Sequence, residues 1–336
     1  MSASKRRAPY GFTLVELLTV IFIIALLISI LVPALNAVRD QARNAKTSGE
    51  LSSIGKGVEL FHGELGKYPR SHGGNPFFDD DSVILTGAQW LAVQLVGPDM
   101  QGYVKPELAI DTNDNGEIDE ADWEAWYELD PDRAYPRLGP YVPTEGDIVQ
   151  SFEAWAEGHP GYTVDGDLED TGDRWSNDRV PFFVDAYGLP IVYYAASTYA
   201  KKPFTTGTPG DLEYGRYDQS DNAGFTGNDT GDGRNDATQE GLNPYGDAEP
   251  LGHASNVIYH PLGILGYDPG NPNVEPEPKT FADVIMDWNI FETNRDAGTG
   301  EGRVWPHNAD SFILVSPGKD GLWGTKDDVS NIQRGD

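Results

Sequence analysis

Cysteine is absent from this chain of 336 residues, which excludes disulfides, thiolate-ligated zinc, iron–sulfur clusters and cysteine nucleophiles. Basic residues are scarce, because 24 Lys and Arg stand against 54 Asp and Glu, for a formal net charge of −30. A chain this acidic repels nucleic acid, so we expect no nucleic-acid partner. Any bracing of the fold beyond packing must come from metal ions with oxygen ligands.

Recognisable enzyme signatures are missing as well. The chain has 6 histidines but no His-x-x-x-His pair, and it has no Gly-x-Ser-x-Gly elbow, Walker loop or dinucleotide fingerprint. Carboxylates are numerous, yet a sequence cannot place two of them across one glycosidic bond. The composition, with 38% hydrophobic and 11% aromatic residues, is sufficient for a buried core. We therefore predict a folded protein that is not an enzyme.

One long apolar run lies close to the start of the sequence. No residue from Leu17 to Val38 is charged, and this stretch would span about 33 Å as a helix, enough for one membrane crossing. A buried helix of a soluble core is the alternative. A cleaved signal peptide is disfavoured, since residues 39–43 continue a helical pattern and offer no cleavage site. Basic residues occur on both sides of the run, so their distribution does not fix its orientation.

The junction before the run carries the most specific motif. A basic leader is followed by the residues GFTLVE at positions 11–16 and then directly by the apolar run. This combination resembles the signature of type IV prepilins and type II secretion pseudopilins. The resemblance implies that a prepilin peptidase cleaves between Gly11 and Phe12 on the cytoplasmic side and methylates the new amino terminus. It also implies that the apolar helix is retained.

Glu16 stands at the edge of the apolar run. An ionised carboxylate there costs about 3 kcal/mol unless it is paired with a cation. The resemblance supplies that cation, namely the terminal amine of Phe12 in a neighbouring subunit, which pairs with Glu16 as helices stack into a filament. The alternative is that Glu16 only marks the interfacial end of the span.

Further segments support the same resemblance. Pro33 interrupts the run at a position that matches the family, and residues 66–69 read GKYP. Residues 185–194 are similar to the Asp-x-aromatic-Gly-x-Pro-x-x-Tyr segment of major pseudopilins, and residues 316–328 resemble their carboxy-terminal calcium loop. The candidate acidic ligands in that loop are Asp320, Asp327 and Asp328. A solvated pair of Asp-Gly turns is the alternative.

A separate calcium motif lies at residues 111–122. Its oxygen-bearing residues fall at the spacing of an EF-hand loop, with Gly116 at the sharp turn. The candidate ligands are Asp111, Asn113, Asn115, Glu117, Asp119 and Asp122. The last of these replaces the usual Glu, and the pattern resembles a single dockerin repeat. A solvated loop is the alternative, but we expect calcium to take the bracing role that disulfides fill in other exported proteins.

We predict an α+β, pilin-like fold: a long N-terminal transmembrane and amphipathic helix packed on a small antiparallel-sheet domain with long loops. Beyond the span, apolar residues recur at intervals of three and four, which predicts one buried stripe along the helix. The stripe comprises Leu51, Ile54, Val58 and Phe61. The predicted segments are a leader at 1–11, a helix at 12–62 with its transmembrane span at 17–38, a head at 63–336, and insertions in the head at about 70–180 and 195–310.

These features favour a structural function, namely a pseudopilin subunit of a type II secretion or type IV pilus-like filament. The resemblance implies three kinds of partner: prepilin peptidase, other pseudopilin subunits in homo- and hetero-oligomeric filaments, and the inner-membrane secretion platform with its ATPase. It also implies a single pass through the inner membrane with the C-terminal domain in the periplasm. Two alternatives stay open: a membrane-anchored calcium-dependent binding or enzymatic domain that never polymerises, and a surface adhesive pilin.

Overall fold

The computed structural model describes residues 14–73, 76, 85–104, 111–112, 115–127, 137–151, 153–155, 179–197, 202–205, 215–222, 225, 306–319, 321 and 327–332. The chain divides into two units, Met1–Ala45 and Lys46–Asp336. A long N-terminal apolar helix and small, mainly antiparallel sheets make up the described fold. The predicted α+β, pilin-like fold class is thereby confirmed.

Helix α1 covers Leu14–Leu65, a length of 52 residues. Pro33 lies inside it and lacks the amide hydrogen that would bond the carbonyl four residues back. The helix ends three residues beyond the boundary expected from the sequence, because the capping glycine is Gly66. Gly66 has a φ of +71°, and its amide donates to the His62 carbonyl at 2.8 Å.

The other described elements belong to the globular head. The helices are α2 (Gly87–Val96), α3 (Glu120–Tyr127) and a 3₁₀ turn (Gln219–Asn222). The strands are β1 (Tyr103–Val104), β2 (Arg137–Leu138), β3 (Val149–Ser151), β4 (Pro181–Phe183), β5 (Val192–Ala195), β6 (Lys202–Thr205), β7 (Gly215–Asp218), β8 (Phe312–Ser316) and β9 (Val329–Ser330). Among these strands, β1–β2, β3–β4 and β5–β8–β9 form antiparallel sheets, while β6 and β7 pair in parallel.

The three-stranded sheet is buried on both of its faces. Strand β8 lies between β5 and β9, and Tyr194 of β5 stands opposite Ile313 of β8. Successive residues of a strand point to opposite faces. Accordingly, Tyr193 and Leu314 belong to one core cluster, whereas Tyr194 and Ile313 belong to the other. The sheet therefore separates two apolar layers of the head.

The predicted apolar stripe of α1 packs on the first of these clusters. Leu51, Ile54, Val58 and Phe61 are each at most 4% exposed, which confirms the prediction. The ring of Phe61 contacts that of Tyr103 in β1, with 6.0 Å between their centroids. Burial of each such side chain contributes about 1.5–3 kcal/mol, so this stripe fixes the second half of α1 to the head.

Helix α2 is buried on every side, since all ten of its residues are buried. Its start is fixed by a capping box, in which Thr86 Oγ1 accepts from the Gln89 amide at 3.3 Å and Gln89 Oε1 accepts from the Thr86 amide at 3.1 Å. A Cβ at Gly87 would lie 2.3 Å from the carbonyl oxygen of Tyr193. Glycine at this position therefore allows α2 to approach β5 directly.

Candidate processing and metal-binding sites

Glu16 lies in the first turn of α1, where the helix dipole favours a negative charge. Its side chain is exposed, and its backbone carbonyl accepts a hydrogen bond from Thr19 Oγ1 at 2.9 Å. Gly11 and Phe12, the predicted cleavage residues, lie outside the described residues. The structure thus places Glu16 at the end of α1 that is nearest to the predicted cleavage point.

The apolar part of α1 is exposed in the described structure. None of the side chains in its most apolar 18-residue window is buried. Phe22 and Ile30, for example, are each 67% exposed. Among the described residues, α1 is the one helix that is long and apolar enough to cross a membrane, by length and composition. An apolar surface of this extent needs lipid or other protein around it.

The loop at residues 111–122 is organised around the carboxylate of Asp111. This carboxylate accepts from the backbone amides of Asn115 at 3.3 Å and Gly116 at 2.6 Å. Gly116 has a φ of +90°, which is the left-handed turn expected at this position. Asn115 Nδ2 donates to Asp119 Oδ2 at 2.5 Å, and Asn115 Oδ1 accepts from the Glu117 amide at 2.8 Å. Asn115 thus links its neighbours on both sides of the turn.

Asp122, the predicted last ligand of this loop, is buried and braces the loop backbone. One of its carboxylate oxygens accepts from the amide and the hydroxyl of Thr112, both at 2.6 Å. The other accepts from the amide of Asp119 at 3.1 Å. Burial by itself would raise the pKa of Asp122, but these hydrogen bonds outweigh burial and hold the pKa below its usual value.

Helix α3 follows the loop directly and anchors it in the core of the head. Trp123 and Trp126 are buried, with 5.2 Å between their ring centroids. Trp123 also lies 6.5 Å from the ring of Tyr103, which in turn contacts Phe61 of α1. The loop is therefore connected to the core through a continuous series of aromatic contacts.

The C-terminal loop closes where Gly318 meets Asp327. Gly318 has a φ of +66°, and a Cβ there would lie 2.3 Å from the Asp327 carbonyl oxygen. The Gly318 amide donates to Ser316 Oγ at 3.2 Å. Asp327 and Asp328 are half-buried, and Asp320 lies outside the described residues.

The described residues contain no group of three or more His, Asp or Glu side chains placed to hold one metal ion. Among the candidate ligands of the first loop, Asp111, Asp119 and Asp122 belong to the described residues, whereas Asn113 lies outside them. A calcium shell at either loop would therefore need amide, carbonyl or water oxygens in addition to its carboxylates, a mixture that calcium accepts.

Asp185 joins the two later segments that resemble pseudopilins, and it is only 5% exposed. Its Oδ1 accepts from the amides of Tyr187 at 2.8 Å and Leu189 at 2.9 Å, which shapes the turn between β4 and β5. Its Oδ2 accepts from the Ser316 hydroxyl at 2.5 Å, at the end of β8. Burial raises the pKa of Asp185, although the hydrogen bonds oppose this effect.

Two residues of α1 that the sequence did not single out lie close to the same turn. Thr47 is buried, and its Oγ1 accepts from the Ala186 amide at 3.2 Å. Glu50 pairs with Lys46 at 3.3 Å, while its Oε2 is buried without a hydrogen-bond partner among the described residues. Burial raises the pKa of Glu50, and the negative charge of Asp185 adds to this effect. The sequence signal that could have identified Thr47 and Glu50 is their position beside the apolar stripe of α1.

A second buried carboxylate, Asp221, holds the segment that follows α1. It is 6% exposed and accepts a hydrogen bond from the Ser71 hydroxyl, which itself accepts from the Ala195 amide at 3.0 Å. His72 Nδ1 lies 3.9 Å from the other carboxylate oxygen. Burial and the negative charge of Asp218 raise the pKa of Asp221 well above its usual value.

Replacing Asp221 with asparagine is expected to stabilise the head as the pH rises. The folded-state pKa is raised above the unfolded value of about 3.9, so the wild type loses stability as the pH climbs from that value through the folded pKa. Asparagine does not titrate, and its oxygen still accepts from Ser71. The melting temperature of the variant minus that of the wild type should therefore grow as the pH is raised from about 4 to about 8. A difference that stays constant with pH would contradict this.

The amino-terminal segment matches the family model described as the prokaryotic N-terminal methylation motif, over residues 6–32. The matched stretch contains Gly11, Phe12, Glu16 and most of the apolar run. No curated protein and no solved structure gives a significant match to the chain. The chain thus carries the processing motif of type IV prepilin-like proteins, the substrates of prepilin peptidase. For this segment, the resemblance found in the sequence is confirmed.

Proposed function

We propose that this chain is a structural filament subunit, a pseudopilin of a type II secretion system or of a related type IV pilus-like assembly. The observation that supports this most strongly is the methylation motif at 6–32, which continues into α1 with an exposed apolar surface. On assembly, such a helix exchanges lipid contacts for contacts with other helices. The activity is then mechanical, with energy supplied by a partner ATPase.

The proposed order of events begins with cleavage between Gly11 and Phe12, which removes the leader 1–11, and with methylation of Phe12. The ionised Glu16 of one copy then pairs with the amine of Phe12 in the next, which offsets a cost of about 3 kcal/mol for an unpaired carboxylate at the edge of the hydrocarbon. Both groups belong to the first five residues of the proposed processed chain, so stacking copies in one direction brings them together.

The proposed location is the inner membrane, crossed once, with the head at 63–336 in the periplasm before assembly into a pseudopilus. The proposed partners are prepilin peptidase, other pseudopilin subunits and the inner-membrane platform with its ATPase. The strong negative charge of the chain is compatible with this arrangement, since an acidic head is repelled by anionic headgroups and stays clear of the bilayer surface.

The experiment that tests this function is identification of the amino-terminal residue. The full-length protein is purified from cells that carry its native secretion genes and is analysed by intact mass and peptide sequencing. We expect a chain that starts at methylated Phe12, and Gly11→Val is expected to leave the leader in place.

Two other outcomes favour the alternatives. A chain that starts at Met1, or just beyond Val38, contradicts processing and favours a membrane-anchored or secreted calcium-binding or enzymatic domain. Processed protein in long fibres outside the cell favours a surface adhesive pilin over a periplasmic pseudopilus.

We propose further that calcium stabilises the head, bound by the loop at 111–122 and by a second loop at 316–328. The first loop has the residue types and the positive φ at Gly116 that such a site requires. Asp111 and Asp119 are the carboxylates best placed to share an ion, because both are already linked to Asn115. Both oxygens of Asp122 are engaged with Thr112 and Asp119, so its part in the site is to hold the loop on α3.

Calcium is expected to raise the melting temperature of the full chain in detergent. For the weak dissociation constants of extracellular calcium modules, about 10 mM calcium contributes about 1.4–2.7 kcal/mol, or roughly 3–8 °C. Magnesium at the same concentration is the matched control for ionic strength, and chelation should reverse the shift. The variant Asp111→Asn should lose most of the calcium-dependent rise in melting temperature. Equal melting with calcium, magnesium and chelator would exclude structural calcium.

A further inference from the structure

Two arginines follow the apolar run of α1 on one side of the helix. Arg39 and Arg43 are four residues apart, so their side chains lie next to each other on the helix surface, and both are exposed. Arg39 comes directly after Val38, the last residue of the uncharged run, and Arg43 lies about one helical turn further on. When the run spans a membrane, the two guanidinium groups therefore stand in the first turns outside the hydrocarbon.

The opposite charge is concentrated in the rest of the chain. Residues 46–336 hold 19 Lys and Arg against 52 Asp and Glu, for a formal net charge of −33. Exposed carboxylates of the described head include Glu124, Glu145 and Asp147. None of these three forms a salt bridge with a basic side chain among the described residues. Heads with this charge repel one another unless cationic groups lie between them.

We propose that the face formed by Arg39 and Arg43 docks against the acidic head of a neighbouring copy of this chain. The proposal rests on the filament function proposed above. Guanidinium groups suit this contact, since arginine binds carboxylates with two parallel hydrogen bonds and stays charged at every relevant pH. A helix that leaves the bilayer also loses the lipid phosphates around its outer end. Asp40 lies in the same turn as the two arginines, and the acidic heads of neighbouring copies supply further carboxylates that can replace these phosphates.

The test compares two double variants in cells that carry the native secretion genes. Arg39→Glu with Arg43→Glu reverses the charge, while Arg39→Lys with Arg43→Lys keeps it. Each protein is assayed for its amino-terminal residue, for its retention in the membrane fraction and for filaments that sediment and are visible by electron microscopy. We expect both variants to be processed and retained. We expect the filament yield of the Glu variant to fall by roughly tenfold or more, and that of the Lys variant to stay near wild type.

A second readout uses assembly at high salt. Salt at about 1 M reduces the screening length to about 3 Å, which weakens both the proposed charge pairs and the repulsion between heads, so it should narrow the difference in filament yield between the wild type and the Glu variant. Filaments of the Glu variant that equal the wild type in yield would overturn the proposal. So would loss of the Glu variant from the membrane fraction, because the partner would then be an anionic lipid surface. A wild-type chain that starts at Met1 and forms no filament would instead overturn the proposed function, and this inference with it.

Discussion

Asp185→Ala is expected to unfold the head at moderate temperature. The substitution leaves the amides of Tyr187 and Leu189 and the hydroxyl of Ser316 without their acceptor, in a part of the head that is buried. Each unsatisfied buried group costs about 1–3 kcal/mol, so a total loss of about 3–5 kcal/mol is expected. A loss of this size is a large fraction of the stability of an ordinary domain. The measurement is thermal unfolding of the full chain in detergent, followed by tryptophan fluorescence.

The matched control for this effect is Asp185→Asn. Asparagine keeps an oxygen for the two amides and can donate its side-chain NH₂ to Ser316. Because burial raises the pKa of Asp185, removal of its charge costs little or even stabilises the head. The exposed Asp147→Ala serves as a second control. If Asp185→Ala has the same melting temperature as Asp147→Ala, the turn between β4 and β5 does not depend on the carboxylate of Asp185.

Glu16→Val is expected to abolish filament assembly while membrane insertion stays intact. Valine is compatible with the hydrocarbon, so the apolar run is only lengthened. The carboxylate that would receive the amine of Phe12 from the next copy is removed, however. Loss of one partner of a desolvated ion pair costs about 3–5 kcal/mol, which corresponds to a factor of 100 or more for each subunit contact. The measurement is filament yield, with the amino terminus and the membrane fraction determined on the same cells.

Glu16→Asp is the control that keeps the charge on a shorter side chain, and it should retain part of the assembly. Normal filaments from the valine variant would show that Glu16 only marks the interfacial end of the helix. Failure of insertion would show instead that the glutamate is needed before assembly begins.

The predictions that succeeded rest on signals contained in one short stretch of chain. The stripe from Leu51 to Phe61 was predicted because its period of three and four describes one helix face, and that face is buried. Helix α2 was not predicted, and its segment was assigned to an insertion. All ten of its residues are buried, so it has no polar face and its periodicity disappears. The capping box formed by Thr86 and Gln89 was the remaining local signal.

Contacts between distant parts of the chain were not accessible from the sequence. The strand character of 192–195 and 312–316 is evident from their Val, Ile, Tyr and Phe residues, but nothing local indicates that these two strands pair. The loop at 111–122 shows a related limit. The spacing identified Asp122 as a candidate calcium ligand. It could not show that both carboxylate oxygens of Asp122 accept hydrogen bonds from Thr112 and Asp119. Asp221 has no sequence signature at all, because the hydroxyl that donates to it belongs to Ser71, which is 150 residues away.

The central place of β8 in its sheet means that the head can fold only after this strand has been synthesised. Strand β8 lies more than 100 residues beyond β5 in the sequence, yet both core layers contain its side chains. Until synthesis has passed residue 316, β5 presents an open edge and its two apolar faces lack their partners. A chain that stops before β8 therefore leaves both faces of β5 without their partners and open to proteases, whatever the state of its N-terminal helix.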